Sequence, residues 1–314
     1  MAEERLAEAR RFQHGRVLVV AFEGWNDAGE AATGAVRLVR EALPLVPLLD
    51  VDPELYMDYQ FNRPTIGVDE HGDKELTWPG ATMFGPAKQV RGVEPEADEP
   101  EERIDRDNLY VLLGTEPSRS WRGFVAEIVD AALVADIEGI VMLGAMLADV
   151  PHTRPISTFA SSEDADVRQD LDLERSTYEG PVGILSVLGE AAERAEIPTL
   201  SIWASVPHYV HNAPSPKATL ALIDKLEEII DVVIPRGGLV DDAANWESGI
   251  DALASEDEDM SNYIEQLEQA RDTVDSPEAS GEAIAQEFEK YLRGSGDEKP
   301  DGGSAGGEPW QPRG

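Results

Sequence analysis

The sequence predicts an α/β fold of three layers, in which helices cover both faces of a mostly parallel β-sheet, followed by a C-terminal helical appendage. Three observations support this prediction. Short apolar runs rich in β-branched residues alternate with segments that carry apolar residues at helical spacing. Glycine or proline stands at the junctions between them. The chain has 314 residues and a hydrophobic fraction of 41%, enough for one large core.

The predicted strands and helices alternate along the chain. The first strand, at residues 16–22, is apolar almost throughout, as buried parallel strands are, and the helix that follows at residues 30–43 ends before Pro44. Further strands are predicted at residues 108–114, 139–144 and 199–204, and further helices at residues 121–135, 182–196 and 216–229. Such alternation predicts right-handed crossovers between parallel strands.

Less regular segments separate and flank these elements. We expect a hairpin or edge strands at residues 55–78, a mobile acidic loop at 92–106, and a strand with a short polar helix at 157–176. The chain divides into a lead-in at residues 1–14, an α/β domain at 15–240, a helical hairpin at 241–293 and a disordered tail at 294–314. Within that hairpin, helices are predicted at residues 259–272 and 281–293.

Composition excludes several classes of function. Cysteine is absent, which excludes disulfides, thiolate metal sites and a cysteine nucleophile. The chain has 63 acidic and 26 basic residues, a net charge of −37, so we expect no binding to nucleic acid or to an anionic membrane. The charged start of the chain and apolar runs far shorter than the ~20 residues of a membrane span predict a cytoplasmic protein. The acidic surplus suits a basic protein partner, or else solubility or adaptation to high internal salt.

Polar turns follow each of the four predicted parallel strands, and we expect them to gather at one edge of the sheet. The first turn, at residues 24–29, holds Trp25, Asn26 and Asp27. Asn26 or Asp27 could cap the next helix, and exposed amides in this turn could bind an anion. The turn lacks the Gly-x-Gly-x-x-Gly pattern and the phosphate-loop lysine, so dinucleotide binding and nucleoside triphosphatase activity are not predicted.

The second turn, at residues 114–121, contains Glu116 and leads into Trp121. Glu116 could act as a base or bind a sugar hydroxyl, whereas Ser118 or Ser120 could cap the helix. No Gly-x-Ser-x-Gly elbow is present here, so a serine nucleophile is not predicted.

The third and fourth turns carry the histidines. His152 could act as a general acid or base, and Arg154 could bind a carboxylate or phosphate; alternatively, both hydrogen-bond loop carbonyls. His208 and Tyr209 follow the fourth strand, and a metal site there would need more ligands than His208 and His211, so no metal is predicted.

One further aromatic residue lies outside these four turns. Tyr178 precedes the glycine-containing helix at residues 182–196 and could cover the mouth of a pocket or belong to an ordinary turn.

These segments together resemble the PAC2 (proteasome assembly chaperone 2-like) family, in particular its actinobacterial-type members. The resemblance spans residues 15–240 and extends to residues 280–282 and 288–293. It is carried by residues 24–29 (Gly-Trp-Asn-Asp-Ala-Gly), 114–117 (Gly-Thr-Glu-Pro) with Trp121, 151–155 (Pro-His-Thr-Arg-Pro), 178–181 (Tyr-Glu-Gly-Pro) and 203–209 (Trp-Ala-Ser-Val-Pro-His-Tyr). It implies a three-layer fold like that of the purine nucleoside phosphorylases, a homo-oligomer such as a trimer, and a chaperone role in proteasome assembly.

The sequence departs from the family pattern at its end. Proteasome-docking relatives can end in a hydrophobic–tyrosine–any tripeptide, whereas this chain ends in Gln311, Pro312, Arg313 and Gly314. The nearest match, Tyr291 with Leu292, is internal. The phosphate-binding and base-binding residues of phosphorylase-like enzymes do not map onto this sequence by motif, and a shared fold does not transfer activity.

We therefore predict a non-enzymatic, oligomeric assembly or interaction factor with protein partners related to the proteasome, and no cofactor. The alternative is an enzyme or binder that acts on a small anionic or nucleoside-like ligand in a phosphorylase-like pocket at the strand ends. In a third interpretation, the polar turns only stabilise the fold or a subunit interface, and Trp121, His152 and Tyr209 are buried and hydrogen-bonded.

Overall fold

The computed structural model describes residues 11–69, 71–87 and 107–274. Its strands are β1 (Val17–Glu23), β2 (Leu45–Val51), β3 (Thr65–Val68), β4 (Lys74–Thr77), β5 (Ala81–Pro86), β6 (Leu109–Thr115), β7 (Gly139–Ala148), β8 (Thr158–Ser161) and β9 (Thr199–Pro207). Its helices are α1 (Ala31–Glu41), α2 (Pro53–Tyr56), α3 (Trp121–Val134), α4 (Ala165–Leu171), α5 (Ile184–Arg194), α6 (Pro216–Ile230), α7 (Leu239–Ser255) and α8 (Glu258–Val274). Short 3₁₀ turns occupy Ala28–Glu30 and His208–Val210.

Within the described residues, seven strands form one sheet in the order β2-β5-β6-β1-β7-β9-β8. The four central strands run parallel, as predicted: β1 pairs in parallel with β6 and β7, and β7 with β9. The strands toward the edges, β5 and β8, are antiparallel to their inner neighbours. Strands β2 and β5 were not predicted, because Pro47 interrupts the β2 pattern at a shift in its register with β5.

The core lies on both faces of the sheet, which explains the continuous apolar character of β1. Val17, Val19 and Ala21 pack with α1 and α6 on one face. Alternate residues of the same strand, such as Leu18 and Val20, pack with α3 and α5 on the other. Because neighbouring side chains of a strand point to opposite faces, a strand covered on both sides must be apolar at every position. The predicted three layers are confirmed.

Several predicted bounds change in the structure. Helix α1 begins at Ala31 because Gly29 and Glu30 have left-handed backbone angles, with φ of 59° and 49°. Strands β7 and β9 extend to Ala148 and Pro207, since they remain paired to their ends. The predicted helix at residues 259–272 is α8, and α7 precedes it.

Some sequence predictions cannot be compared with the structure. The lead-in before residue 11, the acidic loop at 92–106, the helix at 281–293 with Tyr291 and Leu292, and the tail all lie outside the described residues. Among the described helices, none is long and apolar enough to cross a membrane.

A two-stranded hairpin, β3 with β4, stands apart from the main sheet. Ile66 pairs with Leu76, and Val68 pairs with Lys74, so these four side chains share one face of the hairpin. Every residue of both strands is exposed, including Ile66 at 68% and Val68 at 71%. The structure therefore leaves one apolar face of this hairpin uncovered.

Candidate functional site

The polar turns at the strand ends form two groups in the structure. The turns after β1 and β6 meet the start of α5, and a large cavity opens beside them. The turns after β7 and β9 lie instead against α7 and α8. The two groups use their polar side chains in different ways.

Asp27 in the first turn caps helix α1. One carboxylate oxygen accepts the backbone N–H groups of Ala32 and Thr33, at 2.8 and 3.1 Å, and the other accepts the Thr33 hydroxyl at 2.5 Å. Burial raises the pKa of Asp27, although these three hydrogen bonds act in the opposite direction. Asp27 is thus occupied by the helix start, as the capping prediction proposed.

Glu116 joins the first two turns to helix α5. Its Oε1 accepts the backbone N–H of Ile184 at 2.8 Å and the side-chain amide of Asn26 at 3.4 Å. The Asn26 side chain fits here because residue 183 is a glycine: a Cβ at that position would lie 2.1 Å from Asn26 Nδ2. In the same turn Trp121 donates its indole N–H to the carbonyl of Pro117 at 2.6 Å and is half-buried. This turn therefore holds α3 and α5 in place.

A cavity of about 560 Å³ lies between α5 and the outer strands β9 and β8. It is as large as a typical small-molecule site. Helix α5 packs against β9 beside the cavity, and Phe159 and Ser161 of β8 also line it. Its aromatic lining consists of Trp25, Phe159, Tyr178 and Trp203. Trp25 and Tyr178 are exposed to 60% and 64%, so two large aromatic side chains remain accessible here.

The charged residues that line this cavity are all glutamates: Glu163, Glu190 and Glu193. Glu163 pairs with Arg175 at 2.6 Å, and Glu190 pairs with Arg194 at 2.5 Å. Among the described residues, no basic side chain forms an ion pair with Glu193. Partial burial, together with the charge of the nearby Glu163, raises the pKa of Glu193.

His152 lies at the centre of the second group and is fully buried. The Tyr209 hydroxyl accepts the backbone N–H of His152 at 2.7 Å and lies 2.8 Å from Nδ1. Since that hydroxyl then has its own proton to donate to Nδ1, the ring hydrogen belongs on Nε2, which lies 3.1 Å from Asp251 Oδ1. Lys217 donates to the His152 carbonyl at 2.6 Å. Each polar group of His152 therefore has a partner.

Burial sets the pKa values of His152 and Tyr209. It lowers the pKa of His152, against the opposing influence of the Asp251 carboxylate, so the neutral ring is favoured. Burial also raises the pKa of Tyr209 to about 12. A buried, neutral and fully hydrogen-bonded histidine is suited to holding α7 in place.

Arg154 connects the third turn to helix α8. Its guanidinium makes a two-pronged ion pair with Asp272, with both N–O distances at 2.8 Å, and Nη1 lies 3.3 Å from Glu268. The Asp272 carboxylate raises the pKa of Arg154. Thr153 also donates a hydrogen bond to Glu268. Because carboxylates of the chain itself already occupy this guanidinium, Arg154 is not poised for an outside anion.

His208 lies at the exposed side of the same group. Its Nδ1 is 3.1 Å from Asp149 Oδ1, but the angles do not make a hydrogen bond. Its ring and that of Tyr209 both contact the ring of Tyr263 edge-on. Within the described ranges, no three His, Asp or Glu side chains converge as a metal site would require.

The four turns lie at the carboxyl edge of the parallel strands, as predicted, but the candidate residues in them contact two different parts of the chain. Trp25, Asn26 and Tyr178 line the cavity, with Glu116 behind Asn26. His152, Arg154, His208 and Tyr209 contact the C-terminal helices instead. Sequence reasoning did not select Phe159, Trp203 or Glu193, which also line the cavity. No sequence signal identified them, because their convergence is tertiary: Trp203 lies beside Gly144 of the neighbouring strand, where a Cβ would lie 2.6 Å from the indole.

Together these features define the class of protein. It is a three-layer α/β protein in which ion pairs and hydrogen bonds hold α7 and α8 against the strand ends, and an open cavity lies along α5. A family model of the PAC2 family matches residues 21–254. A PAC2 family protein from Streptomyces avermitilis is 42% identical with a TM-score of 0.66, and the match covers 79% of this chain and 99% of that one. The chain belongs to the PAC2 family.

Two further solved structures place the chain among its relatives. A proteasome-assembly chaperone homologue from Mycobacterium tuberculosis is 37% identical with a TM-score of 0.65, and the match covers 79% of this chain and 99% of that one. An archaeal homologue of proteasome-assembly chaperone from Pyrococcus furiosus shares the fold at 15% identity and a TM-score of 0.51, covering 81% and 94% of the two chains. No curated protein matches the chain.

Proposed function

We propose that this chain is a non-enzymatic, oligomeric assembly or interaction factor of the cytoplasm, with protein partners related to the proteasome. Membership of the PAC2 family supports the proposal, as does likeness to proteins described as a proteasome-assembly chaperone homologue and an archaeal proteasome activator. The structural feature that carries it is the β3–β4 hairpin.

The hairpin has the properties of a protein-binding surface. Ile66, Val68 and Leu76 form an exposed apolar face on one side of it. A lone two-stranded hairpin is only marginally stable in water. Contiguous exposed apolar side chains on a folded protein mark sites of association. We infer that this face is covered in the working assembly, by a second copy of the chain or by the partner.

The side chains suited to catalysis support the non-enzymatic part of the proposal. His152 is buried between Tyr209 and Asp251, and Arg154 is held by Asp272. Glu116 accepts hydrogen bonds from the start of α5. A group that must accept or deliver a proton needs to reach its substrate. These three groups instead join elements of the fold.

The test uses a double substitution on the apolar face, Ile66→Ser with Leu76→Ser. We expect the wild-type protein to elute as a homo-oligomer such as a trimer in size-exclusion chromatography with light scattering, and to bind a purified actinobacterial proteasome core particle or its free subunits. Because the substitutions remove the apolar contact, the variant should weaken at least one of these two interactions. We expect its affinity to fall tenfold or more, which corresponds to about 1.4 kcal/mol of binding free energy.

A matched control is available on the opposite face of the same hairpin. Thr65→Ser with Thr77→Ser alters another cross-strand pair without touching the apolar side chains. This control should keep both interactions. A wild-type monomer that binds no proteasome subunit, or an apolar-face variant with both interactions intact, would contradict the proposal.

A second candidate function rests on the cavity beside α5. Its volume of about 560 Å³ and its accessible Trp25 and Tyr178 favour a small-molecule binder at this position. The sequence suggested an anionic or nucleoside-like ligand. The charged side chains that line the cavity are glutamates, so they favour a positively charged ligand.

A further inference from the structure

We propose that the cavity between α5 and β9 binds a small organic cation, that is, an ammonium or guanidinium group carried on a flat or extended apolar body. The inference deepens the second candidate function and rests on it. It does not depend on the hairpin.

The aromatic side chains provide the first argument. Trp25 and Tyr178 are exposed at the cavity, and Trp203 and Phe159 line it from the outer strands. Hydrogen bonds to Glu116 and to the Pro181 carbonyl hold Trp25 and Tyr178 near the start of α5, at the opposite end from Glu193. Cation–π attraction needs the charge within about 6 Å of the ring, so these rings contact the body of the ligand and not its charge. The same rings provide apolar area for the body of the ligand.

The charges provide the second argument. Among the described residues that line the cavity, the acidic ones are Glu163, Glu190 and Glu193, and none is Lys, Arg or His. Arg175 and Arg194 neutralise the first two, whereas Glu193 has only a 3.4 Å hydrogen bond from the Thr199 hydroxyl. All three carboxylates are exposed to solvent, and Glu193 is the one without an ion pair, so an incoming cation gains a screened attraction here whereas an anion meets repulsion.

The arrangement along α5 sets the shape of the ligand. Leu185, Gly189 and Glu193 follow one another at intervals of four residues, so they share the face of the helix that lines the cavity. Eight residues of helix span about 12 Å. The apolar end lies near Trp25 and Leu185, and the acidic end lies at Glu193. A ligand that spans both has its positive charge at one end of an extended apolar body.

Three compounds that differ only in their end group test the proposal: 4-phenylbutylamine, the neutral 4-phenylbutanol and the anionic 4-phenylbutyrate. Isothermal titration calorimetry on the full chain at pH 7.5 and low salt should give binding of the amine, weaker binding of the alcohol and none of the butyrate. Rising salt should weaken binding of the amine alone.

The variant Glu193→Gln removes the unpaired charge and keeps the shape. It should weaken amine binding about two- to fivefold, as loss of an exposed ion pair does, and leave the alcohol unchanged. Asp130→Asn is the matched control, because Asp130 is an exposed carboxylate on α3 outside the cavity. It should bind the amine as the wild type does, which separates the cavity from general attraction to an acidic protein.

The outcomes distinguish the two proposals. Binding of the alcohol or the butyrate as tightly as the amine would overturn the cation assignment and leave the cavity a ligand site. Equal weakening by both variants would also overturn it. Binding of none of the three compounds would overturn both the cation and the small-molecule function. Binding of an arginine-containing peptide without the free amine would replace the small molecule by a protein partner.

Discussion

The buried cluster around His152 and the cavity along α5 differ in how completely their charged side chains are paired. Around His152, the chain itself supplies Tyr209, Asp251 and Lys217 as partners. Along α5, by contrast, Glu193 lacks an ion pair, and Trp25 is largely exposed. A satisfied and buried network stabilises a fold, whereas an open cavity with an unpaired charge has interactions left to offer a ligand. His152 and Arg154, which the sequence offered for acid–base chemistry and anion binding, belong to the group that contacts α7 and α8 and not to the cavity.

The largest expected effect tests the buried cluster around His152. His152→Ala removes a fully buried ring and leaves the Tyr209 hydroxyl without its acceptor, so we expect a loss of about 2–4 kcal/mol in the free energy of unfolding. Urea unfolding followed by far-UV circular dichroism measures it. His211→Ala is the control, because His211 is exposed and bonds only within its own turn; it should cost less than about 0.5 kcal/mol. Equal effects would show that burial around His152 is unimportant.

A smaller effect is expected where the turns after β1 and β6 are held to α5. Gly183→Ala places a Cβ against the Asn26 amide, which would displace Asn26 from Glu116, at a cost of about 1–3 kcal/mol. The melting temperature should fall accordingly. Gly249→Ala on the exposed side of α7 has open space and should instead stabilise by up to about 1 kcal/mol. A Gly183 variant as stable as the wild type would refute the packing described here.

The smallest effect concerns pH. Because burial lowers the folded-state pKa of His152 below its unfolded value of about 6.5, the unfolded chain takes up this proton first. The stabilisation is fully present above pH ~6.5 and is lost as the pH falls below it, with a slope of at most about 1.4 kcal/mol per pH unit. The charged groups around the ring are Asp251, Glu247 and Lys217.

The variant His152→Gln isolates this contribution. Unfolding free energies of both proteins between pH 7 and pH 5 should differ in slope, with the flatter curve for the variant. Titration of Asp27 and Glu193 is common to both proteins and cancels in the difference. Parallel curves would mean that His152 titrates alike in the folded and unfolded chains.

The sequence predicted the architecture well because its signals are local. A continuous apolar run such as residues 16–22 requires cover on both faces, and the helical spacing at residues 216–229 identifies a helix without knowledge of its neighbours. Strands β2 and β5 escaped prediction because they lie toward the edge of the sheet, where Pro47 is tolerated and the register between the two strands shifts.

The amino-acid sequence by itself predicted the strands of the parallel centre, the turns that end them and a cap from Asn26 or Asp27, since each of these signals lies in residues close together in the chain. Only the tertiary structure decided what those turns do. Asp251 and Asp272 lie 99 and 118 positions from the side chains they bind, and the cavity is lined by residues as far apart in the chain as Trp25 and Trp203. Pairing across such separations depends on which elements pack together, and no local pattern records it.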